Sequence, residues 1–383
     1  MSNLLLRNAQ VPRAGGGRET VSLIIENGMI ARISEAPAAA ETEIDLAGQL
    51  LLPGFIDIHN HGAVGVDVNE ATAEKLLAVG AFLAANGVTA WLPTFVPDAD
   101  ETYRKVVAAI DEVMKIQAAL PVAQIVGVHY EGVFANEKMC GALRPEYFKA
   151  FTGREVGELP TLRTGAHLTT FAPEIEGGIE LVRELRKRNW IPSIGHTRAD
   201  FETLEKAFAA GALHVTHLFN AMTGVHHRDI GVAGWALTKD EICCEIIADR
   251  IHVHPQMLRF AQKNKPADKL VLVSDSVAPT GLGDGEFELW GEKIAVANGK
   301  TRNERGSIAG SVITVLDAVR NYLALGVSEF EVSRMASGNP SKLLGLDDSR
   351  GAIETGKRAD LVALDAGRNV TLTVVGGKIV ADK

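Results

Sequence analysis

The chain has 383 residues, of which 46% are hydrophobic and 23% charged, and its formal net charge is −9. This length and apolar content exceed the needs of one small domain and favour a large core with a satellite module. The acidic balance argues against nucleic acid and anionic membranes as partners, although a local basic pocket could still bind an anionic substrate.

The cysteines give no disulfide framework. The chain has three cysteines, an odd number: Cys140, Cys243 and Cys244. Two of them are adjacent, and no Cys-x-x-Cys metal spacing occurs. This usage favours a reducing compartment, and the first residues lack the basic and apolar regions of a signal peptide. We therefore expect a cytoplasmic protein.

Both ends of the chain predict short strands. Apolar runs separated by glycine-rich turns occur at residues 4–6, 21–25, 29–33, 361–364 and 370–375. Such runs bounded by turn residues are typical of β-strands. We predict that residues 1–50 and residues 346–383 combine into one small β-sandwich module.

Residues 51–345 show another pattern, in which strand-like apolar runs alternate with amphipathic helix-like segments. The predicted strands are Leu51–His59, Val88–Phe95, Gln124–Tyr130, Thr164–Phe171, Trp190–His196, His214–Phe219, Cys243–Asp249 and Leu270–Asp275. Helices are predicted at Asp100–Gln117, Ile179–Arg188 and Ala199–Ala210. Eight parallel β/α units close a (β/α)8 TIM barrel, so the predicted class is α/β.

One uncharged stretch, between Lys75 and Asp98, is long enough to span a bilayer. Asn86-Gly87 interrupts it, however, and Pro93 follows. We therefore predict a buried helix, a turn and a barrel strand in place of a membrane span.

Polar residues collect where the predicted strands end, which is where barrel enzymes place their active sites. Strand one ends with His59 and His61, which alternation directs to the same side. Alone, such a pair could equally be two hydrogen-bonded or solvent-facing histidines. The ends of strands three, five, six and eight add Glu131, His196, His217 and Asp275. Together these residues predict a metal-dependent hydrolase.

Charge and ligand chemistry suggest a separate role for each of these residues. Glu131, His196 and His217 form a two-histidine, one-carboxylate set that leaves a coordination position open, as a catalytic zinc site requires. His59 and His61 could hold a second metal, with Glu131 as the bridge. We expect one or two divalent ions, Zn²⁺ first, although Fe²⁺, Mn²⁺ and Co²⁺ suit the same ligands.

Asp275 is the expected catalytic residue. Its carboxylate would take a proton from the attacking water and pass it to the leaving nitrogen. We expect the Asp275→Asn substitution to keep the metal and abolish turnover.

Several segments resemble a known family. Residues 53–62 look like the opening of amidohydrolase-superfamily barrels, and residues 339–345 and 351–362 look like their closing segment. Within that superfamily the chain is most similar to the N-acetylglucosamine-6-phosphate deacetylase family. The matching segments are His129-Tyr130-Glu131-Gly132, Gly195-His196-Thr197, His217-Leu218-Phe219-Asn220-Ala221-Met222 and Ile308-Ala309-Gly310-Ser311.

The resemblance implies hydrolysis of the N-acetyl group of an amino sugar, N-acetylglucosamine-6-phosphate first, to acetate and the free amine. It also implies substrate contacts from Ala142, Asn220, Ala221, Arg228, His252, Ile308 and Ala309. Arg228 and His252 would contact the phosphate. In relatives such a contact can come from a neighbouring subunit, so a homodimer is expected.

The sequence departs from the family pattern at the substrate end. Val133 replaces a usual proline, Leu143 replaces an expected substrate-facing histidine, and Arg228-Asp229-Ile230-Gly231 replaces a usual Arg-Glu-Pro-Gly. Other N-acyl substrates therefore stay open: N-acetylgalactosamine-6-phosphate, an unphosphorylated amino sugar or an N-acyl amino acid. A barrel that lost its metal and serves as a scaffold is the non-catalytic alternative.

Overall fold

The computed structural model describes residues 4–34 and 40–380. Within these residues the strands are β1 (Leu4–Pro12), β2 (Arg18–Glu26), β3 (Met29–Ser34), β4 (Thr42–Asp45), β5 (Leu50–Pro53), β6 (Phe55–Asn60), β7 (Gly62–Ala63), β8 (Val66–Asp67), β9 (Val88–Phe95), β10 (Gln124–Ile125), β11 (Gly127–Phe134), β12 (Ala166–Phe171), β13 (Ile191–Ile194), β14 (His214–Val215), β15 (Cys243–Ile247), β16 (Leu270–Val273), β17 (Gly285–Leu289), β18 (Glu292–Ala297), β19 (Lys300–Asn303), β20 (Leu361–Leu364), β21 (Val370–Val375) and β22 (Lys378–Ile379).

The helices lie mainly between the barrel strands. They are α1 (Ala73–Ala85), α2 (Asp100–Ile116), α3 (Glu155–Glu158), α4 (Gly178–Lys187), α5 (Phe201–Ala210), α6 (Gly231–Thr238), α7 (Pro255–Asn264), α8 (Val315–Ala324), α9 (Glu329–Ser333) and α10 (Asn339–Leu343). A π-helical turn at Arg334–Gly338 joins α9 to α10. The three predicted helices are confirmed as α2, α4 and α5.

The terminal sheet combines both ends of the chain, as predicted. Its strand order is β22-β21-β20-β5-β1-β2-β3, and β4 pairs with β1. Leu6, Leu23, Leu51, Leu361 and Val374 belong to one buried apolar cluster, so strands from both chain ends share a core. Residues 1–3, 35–39 and 381–383 of the predicted module lie outside the described residues. The module boundaries at residues 50 and 345 stay a prediction.

The barrel has eight strand positions in the described part of the chain, in the order β6, β9, β10–β11, β12, β13, β14, β15 and β16. The strands pair in parallel, as the alternating pattern predicts. Two main-chain hydrogen bonds close the ring: Asp275 N donates to His59 O at 2.9 Å, and His61 N donates to Ser276 O at 2.8 Å. The (β/α)8 prediction is confirmed.

The first predicted strand, Leu51–His59, is wrong in its extent. The structure divides it at Gly54, so that β5 pairs in the terminal sheet and β6 pairs in the barrel. A Cβ on Gly54 would lie 2.2 Å from Cγ2 of Thr89, so the crossing between the sheets has no room for a side chain. Both halves of the run are buried and apolar, and this pattern cannot distinguish one sheet from the other.

The uncharged stretch folds as predicted, with α1 followed by β9. Gly87 has a φ of +81°, a left-handed conformation that glycine adopts without steric cost, and it makes the turn between them. Among the described residues no helix has the length and apolar character needed to cross a membrane.

A three-stranded antiparallel sheet, β17–β18–β19, is inserted between β16 and α8. The apolar runs of residues 51–345 do not indicate these strands. Leu289 and Ile294 of this insertion pack with Val277 and Ala309 in a small apolar cluster beside the mouth of the barrel. The insertion therefore supplies part of the wall over the barrel's carboxyl end.

Candidate metal-dependent active site

The side chains predicted to carry the chemistry converge at the carboxyl ends of the barrel strands. They are His59 and His61 on or just after β6, Glu131 in β11, His196 after β13, His217 after β14 and Asp275 after β16. All are buried. The catalytic face is therefore the one that the fold class predicts.

The backbone bends sharply as it leaves three of these strands. His196, His217 and Asp275 have φ values of +48°, +29° and +51°. Non-glycine residues rarely adopt this left-handed region, and such strain collects at functional sites where the surrounding structure holds it. The bends turn these side chains out of the strand ladders toward the barrel axis.

One ligand group consists of Glu131, His196 and His217. Glu131 Oε1 lies 2.9 Å from His217 Nε2 and 3.1 Å from His196 Nε2, and the two nitrogens are 3.1 Å apart. Ligand atoms that bind zinc tetrahedrally at about 2.0–2.2 Å lie roughly 3.3–3.6 Å from one another, slightly more than these separations. The donor set and its spacing therefore fit a divalent cation.

A second ligand group faces the first. His59 Nε2 and His61 Nε2 are 3.2 Å apart and lie 3.5 and 3.2 Å from Asp275 Oδ1. Glu131 Oε1 lies 3.3 Å from His59 Nε2, and Glu131 Oε2 lies 3.2 Å from His61 Nε2. The Glu131 carboxylate thus contacts both groups, as a bridging ligand must.

His61 and His196 each make a hydrogen bond on the side of the imidazole ring that faces away from the ligand groups. These bonds determine which ring nitrogen faces the other ligands. Nδ1 of His61 lies 3.1 Å from the main-chain oxygen of Thr94, and Nδ1 of His196 lies 2.8 Å from that of Met139. A carbonyl oxygen accepts only, so each Nδ1 carries a proton and, in the neutral ring, the Nε2 lone pair points toward the ligand groups. This is the tautomer that binds a metal through Nε2.

The charges in the centre oppose one another across short distances. Burial opposes protonation of His61, but hydrogen bonds to Asp275 and Glu131 raise its pKa to about 9. Burial likewise opposes the charged form of His59, whereas Glu131 and Asp275 raise its pKa well above the ordinary value. In Glu131, burial is outweighed by the charge of His59, which lowers the pKa well below the usual range. The centre therefore requires positive charge, which protons or a divalent cation can supply.

A cavity of about 300 Å³ opens above the ligands. Its wall includes five predicted substrate residues, Ala142, Asn220, Ala221, His252 and Ile308. His252 Nδ1 lies 2.6 Å from Asp249 Oδ2. Burial lowers the pKa of His252, but this carboxylate more than offsets the effect and raises it. His252 is thus suited to contact an anionic substrate group.

Two predicted substrate residues do not line the cavity within the chain. Arg228 is exposed in the loop before α6, where its Nη1 lies 2.7 Å from His227 Nε2. Ala309 is fully buried in the apolar cluster beneath the insertion. Leu143, which replaces the expected histidine, does line the cavity and adds an apolar surface.

Sequence reasoning missed Trp290 and Glu245. Trp290, at the turn between β17 and β18, lines the cavity, and its ring centroid lies 5.6 Å from that of His61. Glu245 is fully buried in β15, and its Oε2 lies 2.9 Å from His59 Nδ1. A carboxylate inside the apolar run Cys243–Ile247 was the available signal for Glu245. No local pattern places Trp290 at the site.

The sequence profile of the amidohydrolase family matches residues 50–380. The chain is 34% identical to the N-acetylgalactosamine-6-phosphate deacetylase of Escherichia coli O157:H7, an alignment that covers 98% of this chain and 99% of the relative. It is 35% identical to the N-acetylglucosamine-6-phosphate deacetylase of Bacillus subtilis (strain 168), with 93% and 91% covered. The crystal structure of N-acetylglucosamine-6-phosphate deacetylase from Thermotoga maritima superimposes with a TM-score of 0.88 at 33% identity, covering 99% of this chain and 100% of that one.

Proposed function

The chain belongs to the amidohydrolase family, as a member of the N-acetylglucosamine-6-phosphate deacetylase type, and on this premise we propose that it deacetylates a phosphorylated amino sugar. The products are acetate and the free amino sugar, with N-acetylglucosamine-6-phosphate as the first substrate to test. The observation that carries this proposal is the convergence of Glu131, His196, His217 and Asp275 beneath one cavity.

Glu131, His196 and His217 would hold a divalent cation, and a cation bound there would supply Lewis acidity, lowering the pKa of water and polarising a carbonyl oxygen. The remaining steps belong to the protein. Asp275 takes the proton that the attacking water loses as its oxygen bonds to the acetyl carbon. Asp275 then delivers that proton to the amide nitrogen as the carbon–nitrogen bond breaks. The water thus becomes part of the acetate, and the nitrogen leaves as an amine.

The protonation state of the Asp275 carboxyl group suits this role. Burial alone would raise its pKa, but the charges of His59 and His61 outweigh burial and lower it. Asp275 is therefore a carboxylate at neutral pH and can accept a proton. His61 Nε2, 3.2 Å from Asp275 Oδ1, also holds the carboxylate in place.

The substrate's phosphate would contact His252 within the chain and Arg228 from a second copy. His252 lines the cavity, whereas Arg228 is exposed and outside it. Guanidinium groups bind phosphate with two parallel hydrogen bonds, which makes an exposed arginine at a subunit boundary a suitable contact. We therefore propose a homodimer.

Zinc is the proposed native metal because two histidines and one carboxylate are a common catalytic zinc set. Fe²⁺, Mn²⁺ and Co²⁺ suit the same donors. Two ions are proposed because the His59, His61 and Asp275 group offers a second set of three donor atoms. The three free cysteines, Cys140, Cys243 and Cys244, favour a reducing cytoplasm as the location.

The test is acetate release by the zinc-loaded protein from N-acetylglucosamine-6-phosphate, its galacto epimer and both unphosphorylated sugars. A marked preference for a phosphorylated sugar supports the proposal. Acetate release from none of the four would contradict the proposed deacetylation of an amino sugar, and N-acyl amino acids would then be the next substrates to test.

The galacto epimer is the second candidate substrate. An Escherichia coli relative is an N-acetylgalactosamine-6-phosphate deacetylase with nearly full coverage of both chains. Leu143 also lines the cavity at the position where the sequence resemblance leads us to expect a substrate-facing histidine. The ratio of kcat/KM for the two epimers decides between them.

A further inference from the structure

A layer of buried polar side chains lies beneath the ligand histidines, and the proposed mechanism does not use it. Ser193 Oγ lies 2.5 Å from Thr216 Oγ1 and 2.8 Å from His214 Nδ1. His214 Nε2 lies 3.8 Å from Glu245 Oε1. Glu245 is the one carboxylate of this layer, and it connects the layer to the ligands above.

Glu245 contacts one residue from each ligand group. Its Oε2 lies 2.9 Å from His59 Nδ1, and the same oxygen accepts a hydrogen bond from the main-chain nitrogen of His217 at 3.2 Å. The side chain is fully buried, and its ion-pair partners among the described residues are the histidines His59 and His214. A buried carboxylate is costly unless it is hydrogen-bonded, so this contact strongly favours a proton on His59 Nδ1.

We propose that Glu245 is a positioning residue that fixes His59 in the tautomer needed to bind a cation in the second ligand group. With the proton on Nδ1, the Nε2 lone pair of His59 faces His61 and Asp275. The inference rests on the proposed function only in requiring a metal centre. Glu245 itself touches neither metal nor substrate.

The contacts of His59 distinguish control of its tautomer by Glu245 from simple packing of its ring. The ring of His59 also packs against that of His129, with ring centroids 4.6 Å apart, so a second contact besides Glu245 holds the ring. Removing the carboxylate therefore changes the tautomer and the basicity of His59 more than its position. Partners of this kind raise the basicity of a ligand histidine, and their loss typically weakens metal binding about 10–100-fold.

The experiment compares metal content and affinity in the wild-type chain, Glu245→Gln, Glu245→Ala and a control, Ser193→Ala. Ser193 lies in the same buried layer and has no hydrogen bond to a proposed metal ligand. Each protein is loaded with Zn²⁺ and, separately, Co²⁺, and bound metal is counted by elemental analysis. Chelator competition gives the affinity, and the Co²⁺ absorption spectrum reports the ligand geometry of each ion.

The wild type and Ser193→Ala should each bind two ions per chain. Glu245→Ala should keep one ion, because Glu131, His196 and His217 are intact. Glu245→Gln preserves size and one acceptor oxygen, so it should bind the second ion about 10–100-fold more weakly. If Glu245→Ala does not fold, the comparison of Glu245→Gln with the wild type is the test.

The inference is overturned if the wild type binds one ion, or if Glu245→Gln binds two ions with wild-type affinity and Co²⁺ spectrum. None of these readouts needs a substrate. A chain that deacetylates no amino sugar but loses its second ion in Glu245→Gln would contradict the proposed function and leave this inference standing.

Discussion

Asp275 Oδ1 lies 3.2 Å from Nε2 of His61, although the two residues follow the last and the first strand of the barrel. The contact exists because β16 and β6 meet where the ring closes. It places the only proposed proton shuttle at the edge of the ligand centre and above the cavity floor.

Asp275→Asn should retain the ion held by Glu131, His196 and His217 and lose turnover. The amide has nearly the same shape and cannot accept the water's proton, so kcat should fall by about 10²–10⁴-fold or more. Elemental analysis and acetate release measure the two effects. Near-wild-type turnover would show that another group moves the proton.

Zinc uptake should release protons and strengthen as pH rises. His61 has a pKa near 9 in the metal-free chain, and that of His59 is also raised, so both are protonated at pH 7 and must deprotonate before Nε2 binds a cation. Apparent affinity should therefore increase with pH up to about 9 and fall below it. Calorimetry in buffers of different ionisation enthalpy counts the protons.

His61→Gln is the control for this measurement. It should release fewer protons than the wild type at pH 7, because one protonated imidazole has been removed. Uptake by the wild type without proton release would contradict the electrostatic account of the centre.

Arg228→Ala should impair phosphorylated substrates selectively. Loss of a charged hydrogen-bond partner costs about 1.5–3 kcal/mol, or roughly 10–150-fold in kcat/KM. Activity on the unphosphorylated sugar should change little. Arg183→Ala, an exposed arginine on α4, is the matched control. Equal loss on both substrates would remove Arg228 from the phosphate site.

Mixing two impaired variants tests whether Arg228 acts across the dimer. In a mixed dimer of Arg228→Ala and Asp275→Asn chains, one site has Asp275 from the first chain and Arg228 from the second. Activity should therefore recover on mixing if the arginine crosses the interface. No recovery from chains shown to exchange subunits would place Arg228 in its own chain's site or outside the site altogether.

Trp290→Ala should weaken substrate binding more than Trp290→Phe. The indole lines the cavity beside His61, and its buried Nε1 has no hydrogen-bond partner among the described residues. An aromatic ring supplies apolar contact area, so truncation to alanine should raise KM roughly tenfold while phenylalanine keeps most of the affinity. Steady-state kinetics of both variants measure this. An alanine variant with wild-type KM would show that the insertion only covers the barrel.

Local patterns were sufficient to predict much of the fold and the ligand centre. Alternation of apolar runs with amphipathic segments predicted the barrel, and β9, β20 and β21 have the bounds that their apolar runs indicated. The convergence of His59, His61 and Asp275 followed from their positions at strand ends, because parallel strands of a closed barrel all end on one face.

Other features depend on which distant segments pair, and the tertiary structure decided them. The apolar run around Gly54 divides between two sheets because each half finds a different partner strand. Trp290 reaches the cavity because the insertion folds back over the barrel mouth. Glu245 reaches His59 because β15 and β6 flank β16 in the closed barrel. The sequence determined which residues end the strands and so form the centre, whereas only packing across the barrel determined what covers that centre and what supports it from below.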